Sequence, residues 1–377
     1  MNKLKLALLY GADAVYLGGS KFGMRSTAIV NNEFLKEAVE LVHSLGKKVY
    51  IAVNIFARNS DFDEIKKYVK YLESIKVDAV IVSDLGVMRL VLENTKLEIH
   101  VSTQANVLNK YTASEYVKLG ARRIILAREC SLTEIKEIAA HVGGKCDIEI
   151  FVHGAMCVSY SGRCMLSNYL TGRESNRGEC AHPCRWKYAL VEEKRPDQYF
   201  PIEEDSHGTY IMNSKDLCLI NHIDELVAAG VTSFKIEGRN KSEYYVAAVT
   251  SAYRRAIDKT TVELLTEINK TSHRPWTTGF VFGKNDHLYT KTADPKSTHQ
   301  VVAQVIDREK VSLLNVFSVG DELEILSPSE NHNKTFTVTS IKDGTNQEIT
   351  RANKAGYIYY IDCPFILHPD EFLRIKK

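Results

Sequence analysis

The sequence predicts an α/β fold of the (β/α)8, TIM-like type, with a cysteine-rich insertion and a small all-β barrel at its end. Three observations predict it. Short β-branched runs alternate with amphipathic stretches through residues 1–260. The rhythm breaks once, at residues 154–208, where Cys, Arg, Gly and Ser accumulate. From residue 299 to 377 the pattern becomes apolar–polar alternation, the signature of half-buried strands.

The strand-like runs are Ala14–Gly18, Lys48–Asn54, Asp78–Asp84, Leu97–Gln104, Arg122–Arg128, Asp147–His153, Thr209–Asn213 and Ser233–Glu237. Between most of them lie helical stretches at Asn32–Leu45, Asp61–Ile75, Thr112–Leu119, Leu132–Val142 and Leu219–Ala229. Strands separated by helices make βαβ crossovers and hence a parallel sheet. About eight such units suit a closed barrel. A doubly wound open sheet is the rival, but no glycine-rich dinucleotide loop follows the first strand. After the helix Ser242–Asp258, residues 261–298 read as a linker containing Pro275, Trp276 and Gly279. Residues 299–377, with turn signals at Gly320, Asp321, Asp343 and Gly344, read as a separate β-barrel domain.

Composition narrows the function classes. The chain has 377 residues, 44% hydrophobic and 25% charged, with a formal net charge of +2. That mixture supports a sizeable core and excludes wholesale disorder. The near-zero charge excludes a generally basic nucleic-acid wrapper, though not a local basic patch. No apolar run approaches the ~20 residues of a membrane span. The apolar stretch Leu6–Tyr10 is short for a signal peptide, so the start reads as a helix and the protein as cytoplasmic. Its eight cysteines are then reduced thiols or metal ligands, not a disulfide framework.

In a parallel barrel, chemistry gathers at the C-terminal strand ends. Those ends carry Asn54, Asp84, His100 with Gln104 and Asn106, Arg128 with Glu129, Glu149 with His153, and Lys235 with Glu237 and Arg239. Caps, turns and structural ion pairs account for such residues equally well one by one. Their common rim is what points to a site.

The cysteines give the sharpest signal. Cys157, Cys164, Cys180, Cys184 and Cys218 crowd a short stretch. Small apolar packing suits Cys130, Cys146 and Cys363. It suits Cys164 and Cys180 poorly, because they lie in the polar contexts SGRC and NRGEC. Clustered cytosolic thiolates hold soft metals. Only Cys180 and Cys184 have the spacing of a zinc pair. Irregularly spaced thiolates favour an iron–sulfur cluster. The three-cysteine loop of radical enzymes is absent, with Lys187 where its third cysteine would stand. Zincin, serine-hydrolase and P-loop signatures are also absent. A Cys157–His153 nucleophile pair has no orienting third group in the sequence. Residues 155–195 hold seven basic against four acidic side chains, a local +3, interleaved with Tyr160, Tyr169, Trp186 and Tyr188. A solvated loop has that composition, and so does an RNA-binding rim.

The segment from Glu149 to Cys157 (EIFVHGAMC), followed by SGRCMLS at 161–167, closely resembles the signature of peptidase family U32, the collagenase-like proteases. Matching blocks run along nearly the whole chain, including GADAVYLGG (11–19), IHVSTQANV (99–107), GECAHPCRW (178–186) and FKIEGRNKS (234–242). The tail resembles the family's C-terminal β-barrel, itself similar to barrels of translation factors. Family members carry one more strand, of the type ELLAPAG, before the first helix. This chain starts inside that helix, so a barrel lacking its first strand is expected.

The resemblance is closest to the branch that converts the tRNA wobble uridine to 5-hydroxyuridine without oxygen. It implies a [4Fe-4S] cluster on Cys157, Cys164, Cys180 and Cys218, with Cys184 as alternative ligand, and prephenate as source of the hydroxyl. It also implies tRNA, the iron–sulfur assembly machinery and a related U32 subunit as partners. On that reading Arg128, Lys235 and Arg239 are candidates to bind the carboxylates of prephenate. Glu129, Glu149, His153 and Glu237 are candidates for proton transfer. Asn54, Gln104 and Asn106 are candidates to read the base edge. A U32-type peptidase is the rival enzyme, and a zinc-stabilised module binding RNA or a translation partner is the non-catalytic rival.

Overall fold

A computed structural model describes residues 1–19, 21–23, 30–156, 164, 166–173, 180–181, 183, 190–192, 195–200, 204–205, 208–209, 215–239, 241–260, 263–283 and 296–377. They form two compact units that interleave along the chain. One contains residues 13–237 and 274–294, the other residues 2–12, 238–273 and 295–377.

The first unit is a parallel sheet with helices between its strands. Strands β1 (Ala14–Gly18), β2 (Lys48–Val53), β3 (Ala79–Val82), β4 (Glu98–Val101), β5 (Arg123–Ile125) and β6 (Asp147–Ala155) pair in sequence order, each parallel to the next. All four residues of β3 are buried, as expected for a strand covered on both faces. Helices α2 (Asn32–Ser44), α3 (Phe62–Ser74), α4 (Leu85–Asn94), α5 (Lys110–Lys118) and α6 (Leu132–Val142) form the crossovers, after α1 (Asn2–Leu9) at the start of the chain. Their starts are written in side chains. Asn31, Asp84 and Asn109 each accept a first-turn backbone N–H, and Ser131 with Glu134 forms a reciprocal capping box. Gly143, in the left-handed region, ends α6.

After β6 come α7 (Leu166–Thr171) and two antiparallel hairpins, β7 (Leu190–Glu192) with β8 (Arg195–Phe200) and β9 (Glu204–Asp205) with β10 (Gly208–Thr209). Of the expected strand Thr209–Asn213, Thr209 ends β10 and residues 210–213 lie outside the described residues. Instead β11 (Asp216–Cys218) pairs antiparallel with the end of β6. After α8 (Ile223–Ala228), β12 (Ser233–Ile236) pairs parallel with β6. The parallel series therefore runs from β1 to β6 and on to β12. Its two end strands meet through side chains, since Lys235 Nζ of β12 lies 4.1 Å from the ring centre of Tyr16 of β1. The sheet curls round a shared interior. The segment read as a linker also contributes, because β13 (Trp276–Thr277) pairs parallel with β11.

In the second unit, the alternating tail forms β14 (His299–Val305), β15 (Lys310–Leu313), β16 (Phe317–Ser318), β17 (Glu322–Leu326), β18 (Thr335–Thr337), β19 (Ile341–Lys342), β20 (Glu348–Ile349), β21 (Arg351–Ala352), β22 (Ile358–Ile361) and β23 (Phe372–Lys376). Eight of these make one antiparallel sheet, in the order β18-β17-β23-β14-β15-β22-β19-β20. The sheet curls around Val302, Val311, Leu313, Leu323, Ile325 and Leu373. The tail does not pack alone. Leu6 and Tyr10 from α1, and Tyr244, Ala247 and Ala248 from α9 (Glu243–Ile257), form a core with Leu326 and Phe372. Arg374 is fully buried. It makes a two-pronged pair with Glu267 of α10 (Leu264–Asn269) at 2.6 and 3.0 Å and a further contact with Glu324 at 2.6 Å. The compact unit is thus the β-domain plus three helices. Two of them fall inside residues 1–260, and α10 lies in the stretch read as a linker.

Candidate functional site

Inside the parallel sheet, side chains from five strands converge. Glu149 on β6 is 4% exposed. Its carboxylate accepts from Lys235 Nζ at 2.7 Å, Ser233 Oγ at 2.8 Å and Arg123 Nη1 at 3.2 Å. Arg123 also reaches Asp147 at 3.0 Å. Burial alone would raise the Glu149 pKa, but the Lys235 ammonium and the Arg123 guanidinium outweigh it and hold the carboxyl down to about 2. Tyr50 on β2 packs edge-on against His100 on β4, with ring centres 4.5 Å apart. The Arg123 guanidinium lies 5.4 Å from the same tyrosine ring. Burial, reinforced by Arg123, pushes the His100 pKa down to about 3, so the ring is neutral at pH 7. Its Nδ1 has no hydrogen-bond partner among the described residues.

The register explains this convergence. Side chains alternate along a strand, so Arg123, Glu149 and Lys235 share the inner face while Ile124, Ile150 and Phe234 alternate with them. Arg123 and Tyr50 escaped the sequence reading, which looked only at strand ends. Opposite charges at same-face positions of neighbouring β-branched runs were the available signal.

Above this layer lies the end of the strands. Asn54 Nδ2 donates to Ser102 Oγ at 3.1 Å, and the Asn54 carbonyl accepts from Ser83 Oγ at 2.8 Å. Ser102 Oγ also accepts from the Gln104 backbone N–H at 3.2 Å, so Asn54 and Gln104 share one anchor. Asn106 closes that turn in the left-handed region, at φ 55° and ψ 49°. Its Oδ1 is buried with no hydrogen-bond partner among the described residues. Such an acceptor is costly to leave unmet and marks a place for a donor. The Arg128 guanidinium sits 3.9 Å from the Phe151 ring centre, and Glu129 beside it is half-buried.

Gly154 brings the next pair together. The Glu237 backbone N–H donates to the His153 carbonyl at 2.9 Å. A Cβ at Gly154 would lie 2.8 Å from Glu237 Cβ, and φ there is +121°. Only glycine admits that approach. His153 is fully buried, with its ring 5.2 Å from Trp276. Glu237 is half-buried at the end of β12. Arg239 falls in the second unit, where its carbonyl accepts from Lys3 Nζ at 3.2 Å.

Of the five candidate metal ligands, Cys157 and Cys184 lie outside the described residues. Cys164 and Cys180 are half-buried, and Cys218 is buried on β11 opposite His153. No group of three or more His, Cys, Asp or Glu side chains arranged for a metal occurs among the described residues. One contact ties two of the cysteine segments. The buried Ser167 hydroxyl, three residues after Cys164, accepts from the backbone N–H of Ala181, next to Cys180, at 3.1 Å.

The sequence profile of peptidase family U32 matches residues 1–291, and that of the family's C-terminal domain matches residues 297–374. The chain is 35% identical to tRNA hydroxylation protein P of Escherichia coli, over 97% of this chain and 92% of that protein. It is 36% identical to tRNA hydroxylation protein P1 of Bacillus subtilis, over 100% of this chain and 93% of that one. It is also similar to the 23S rRNA 5-hydroxycytidine C2501 synthase of Escherichia coli, at 32% identity over 86% of this chain and 51% of the synthase. With both of its parts matched end to end, the chain belongs to peptidase family U32.

Proposed function

We propose that this protein is a cytoplasmic enzyme that hydroxylates the wobble uridine of tRNA to 5-hydroxyuridine. The observation that carries the reading is identity above one third, over nearly the full length of both chains, to proteins named for tRNA hydroxylation. The chain works on this reading as a TIM-like (β/α) barrel, supported by the seven parallel strands among the described residues, which curl until Tyr16 meets Lys235. No helix among the described residues is long and apolar enough to cross a membrane.

The ligand set proposed for a [4Fe-4S] cluster is Cys157, Cys164, Cys180 and Cys218, with Cys184 in reserve. Soft thiolate sulfur suits iron, and the Ser167–Ala181 tether supports gathering Cys164 and Cys180. A bound cluster would supply an electron-transfer or Lewis-acid centre beside the barrel. Prephenate is the proposed hydroxyl source, with Arg128 as a carboxylate partner, since guanidinium forks match carboxylates. Lys235 and Glu149 serve each other in this scheme, as a fixed ion pair that sets the field of the interior. Glu129 and Glu237 carry proton transfer. Asn54, Gln104 and Asn106 read the base edge. Cluster assembly requires the iron–sulfur machinery, and a second U32 subunit is a further proposed partner.

The test is nucleoside analysis of tRNA from a strain lacking the gene, complemented in parallel with wild type and Cys164→Ala. Restored 5-hydroxyuridine with wild type alone, and about four irons and four sulfides per anaerobically purified wild-type chain, is the expected result. Full tRNA hydroxylation by Cys164→Ala sinks the cluster assignment, and its absence with wild type sinks the activity. For the peptidase alternative, His153 is fully buried against Trp276 and Cys157 lies outside the described residues.

A further inference from the structure

We propose that Tyr169 is a stacking platform for an unpaired RNA base next to the target nucleotide, and that Arg173 holds the adjoining phosphate. The proposal rests on the tRNA reading above and adds the surface that grips the RNA.

Helix α7 is anchored on one side. Ser167 is fully buried, its hydroxyl accepts from Ala181 N–H, and the Thr171 hydroxyl donates to the Ser167 carbonyl at 2.6 Å. Gly172, at φ +68°, closes the helix as its N–H donates to the Asn168 carbonyl at 2.8 Å. On this fixed turn Tyr169 stands 85% exposed, the most exposed large hydrophobic side chain among the described residues, with Leu170 beside it at 41%. The next most exposed, Tyr111 at 70%, has Lys110 and His141 against its ring.

An isolated exposed aromatic is ordinary; its setting is what singles this one out. It lies between Cys164 and Cys180 in sequence, in the stretch that carries +3 while the whole chain carries +2. Arg173 is exposed and makes no ion pair among the described residues. Asn168 and Gly172 are exposed as well. A protein-binding patch gathers several apolar side chains into a core around its anchor, with the polar residues at its rim, whereas only Leu170 stands exposed with Tyr169 on this turn. An exposed aromatic face four residues before an exposed guanidinium that makes no ion pair among the described residues fits a nucleotide, the ring stacking on the base and the guanidinium meeting the phosphate.

The experiment uses the full chain purified anaerobically and an anticodon stem–loop RNA with uridine at the wobble position. Binding is followed by fluorescence anisotropy at several salt concentrations. Tyr169→Ala is expected to weaken binding between about fivefold and 100-fold, with Tyr169→Trp restoring it. Arg173→Gln is expected to lower the salt slope by about one. Iron content and oligomeric state should match wild type in all three variants. Wild-type affinity for Tyr169→Ala overturns the proposal while leaving the tRNA reading intact. A change of oligomeric state with unchanged RNA affinity also overturns it, by showing a protein contact. Failure of wild type to bind the stem–loop overturns the tRNA reading and the proposal together.

Discussion

Replacing Lys235 with methionine isolates the charge at the centre of the interior layer. At 2.7 Å, and with an effective dielectric constant of about 20, the Lys235–Glu149 attraction is roughly 6 kcal/mol. Desolvation of both groups cancels part of it, so the net worth of the pair is far smaller. Breaking the pair from one side is different, because Glu149 stays buried as an anion with Arg123 and Ser233 alone. Such one-sided removal costs about 3–5 kcal/mol. For a unit of this size that lowers the melting temperature by roughly 10 °C. Adding Glu149→Gln removes the stranded charge while Arg123 keeps Asp147, so the double variant should recover most of the loss. The assay is denaturant and thermal unfolding of the full chain for wild type, both singles and the double, read as a cycle. A Lys235→Met variant within about 1 kcal/mol of wild type would refute the reasoning, and so would a double variant no better than the single.

Other consequences are as direct. Glu149 is held near pKa 2, below its unfolded value, so the stability it contributes is full above about pH 4.5 and is lost as the pH falls towards 2; unfolding measured across that window should show it, shallower in Glu149→Gln. Glu267 behaves alike in the second unit, also held near 2 against burial by Arg374 and Lys270, and Arg374→Met should cost about 3–5 kcal/mol by the same stranded-charge argument, read as a lower denaturation midpoint. Gly154→Ala places a methyl 2.8 Å from Glu237 Cβ at φ +121°; a loss of about 1–3 kcal/mol is expected, and a neutral result would show that the two strand ends separate easily. His100, neutral to about pH 3, should show no imidazole titration by NMR between pH 5 and 8.

The strand–helix alternation was legible because periodicity reports burial directly: Asp78–Asp84 and Asp147–His153 read as strands, and the strands Ala79–Val82 and Asp147–Ala155 stand there. Asn31, Asp84 and Ser131 mark helix starts through local side-chain bonds that need no tertiary context. What escaped was pairing over distance. Asp216–Cys218 is three residues long, and nothing local shows that it runs antiparallel to β6. Trp276–Thr277 looked like linker because two residues carry no period. The fusion of α1 and α9 with the β-domain depends on Tyr10 reaching the Leu326 and Asp370 carbonyls at 3.0 Å, more than 300 positions away. In the site, residue types were readable at the strand ends, but their commitments were not. Lys235 and Glu149 looked like two functional groups and are partners.

That commitment divides the carboxylates. A general acid or base has to change protonation near the working pH. Glu149, anionic down to about 2 and fully enclosed by Lys235, Arg123 and Ser233, has neither the pKa nor the access. Glu129 and Glu237 are half-buried and stand past the ends of β5 and β12. If the proton moves through one of these two, its glutamine variant loses about 10²–10⁴ in hydroxylation rate. The loss should come with a changed pH profile and unchanged stability. The Glu149→Gln/Lys235→Met double variant, refolded to wild-type content, should stay within about tenfold of wild type, the range left to indirect electrostatic effects. Loss of activity in the double variant, with normal folding and normal rates for Glu129→Gln and Glu237→Gln, would return the chemistry to the interior pair.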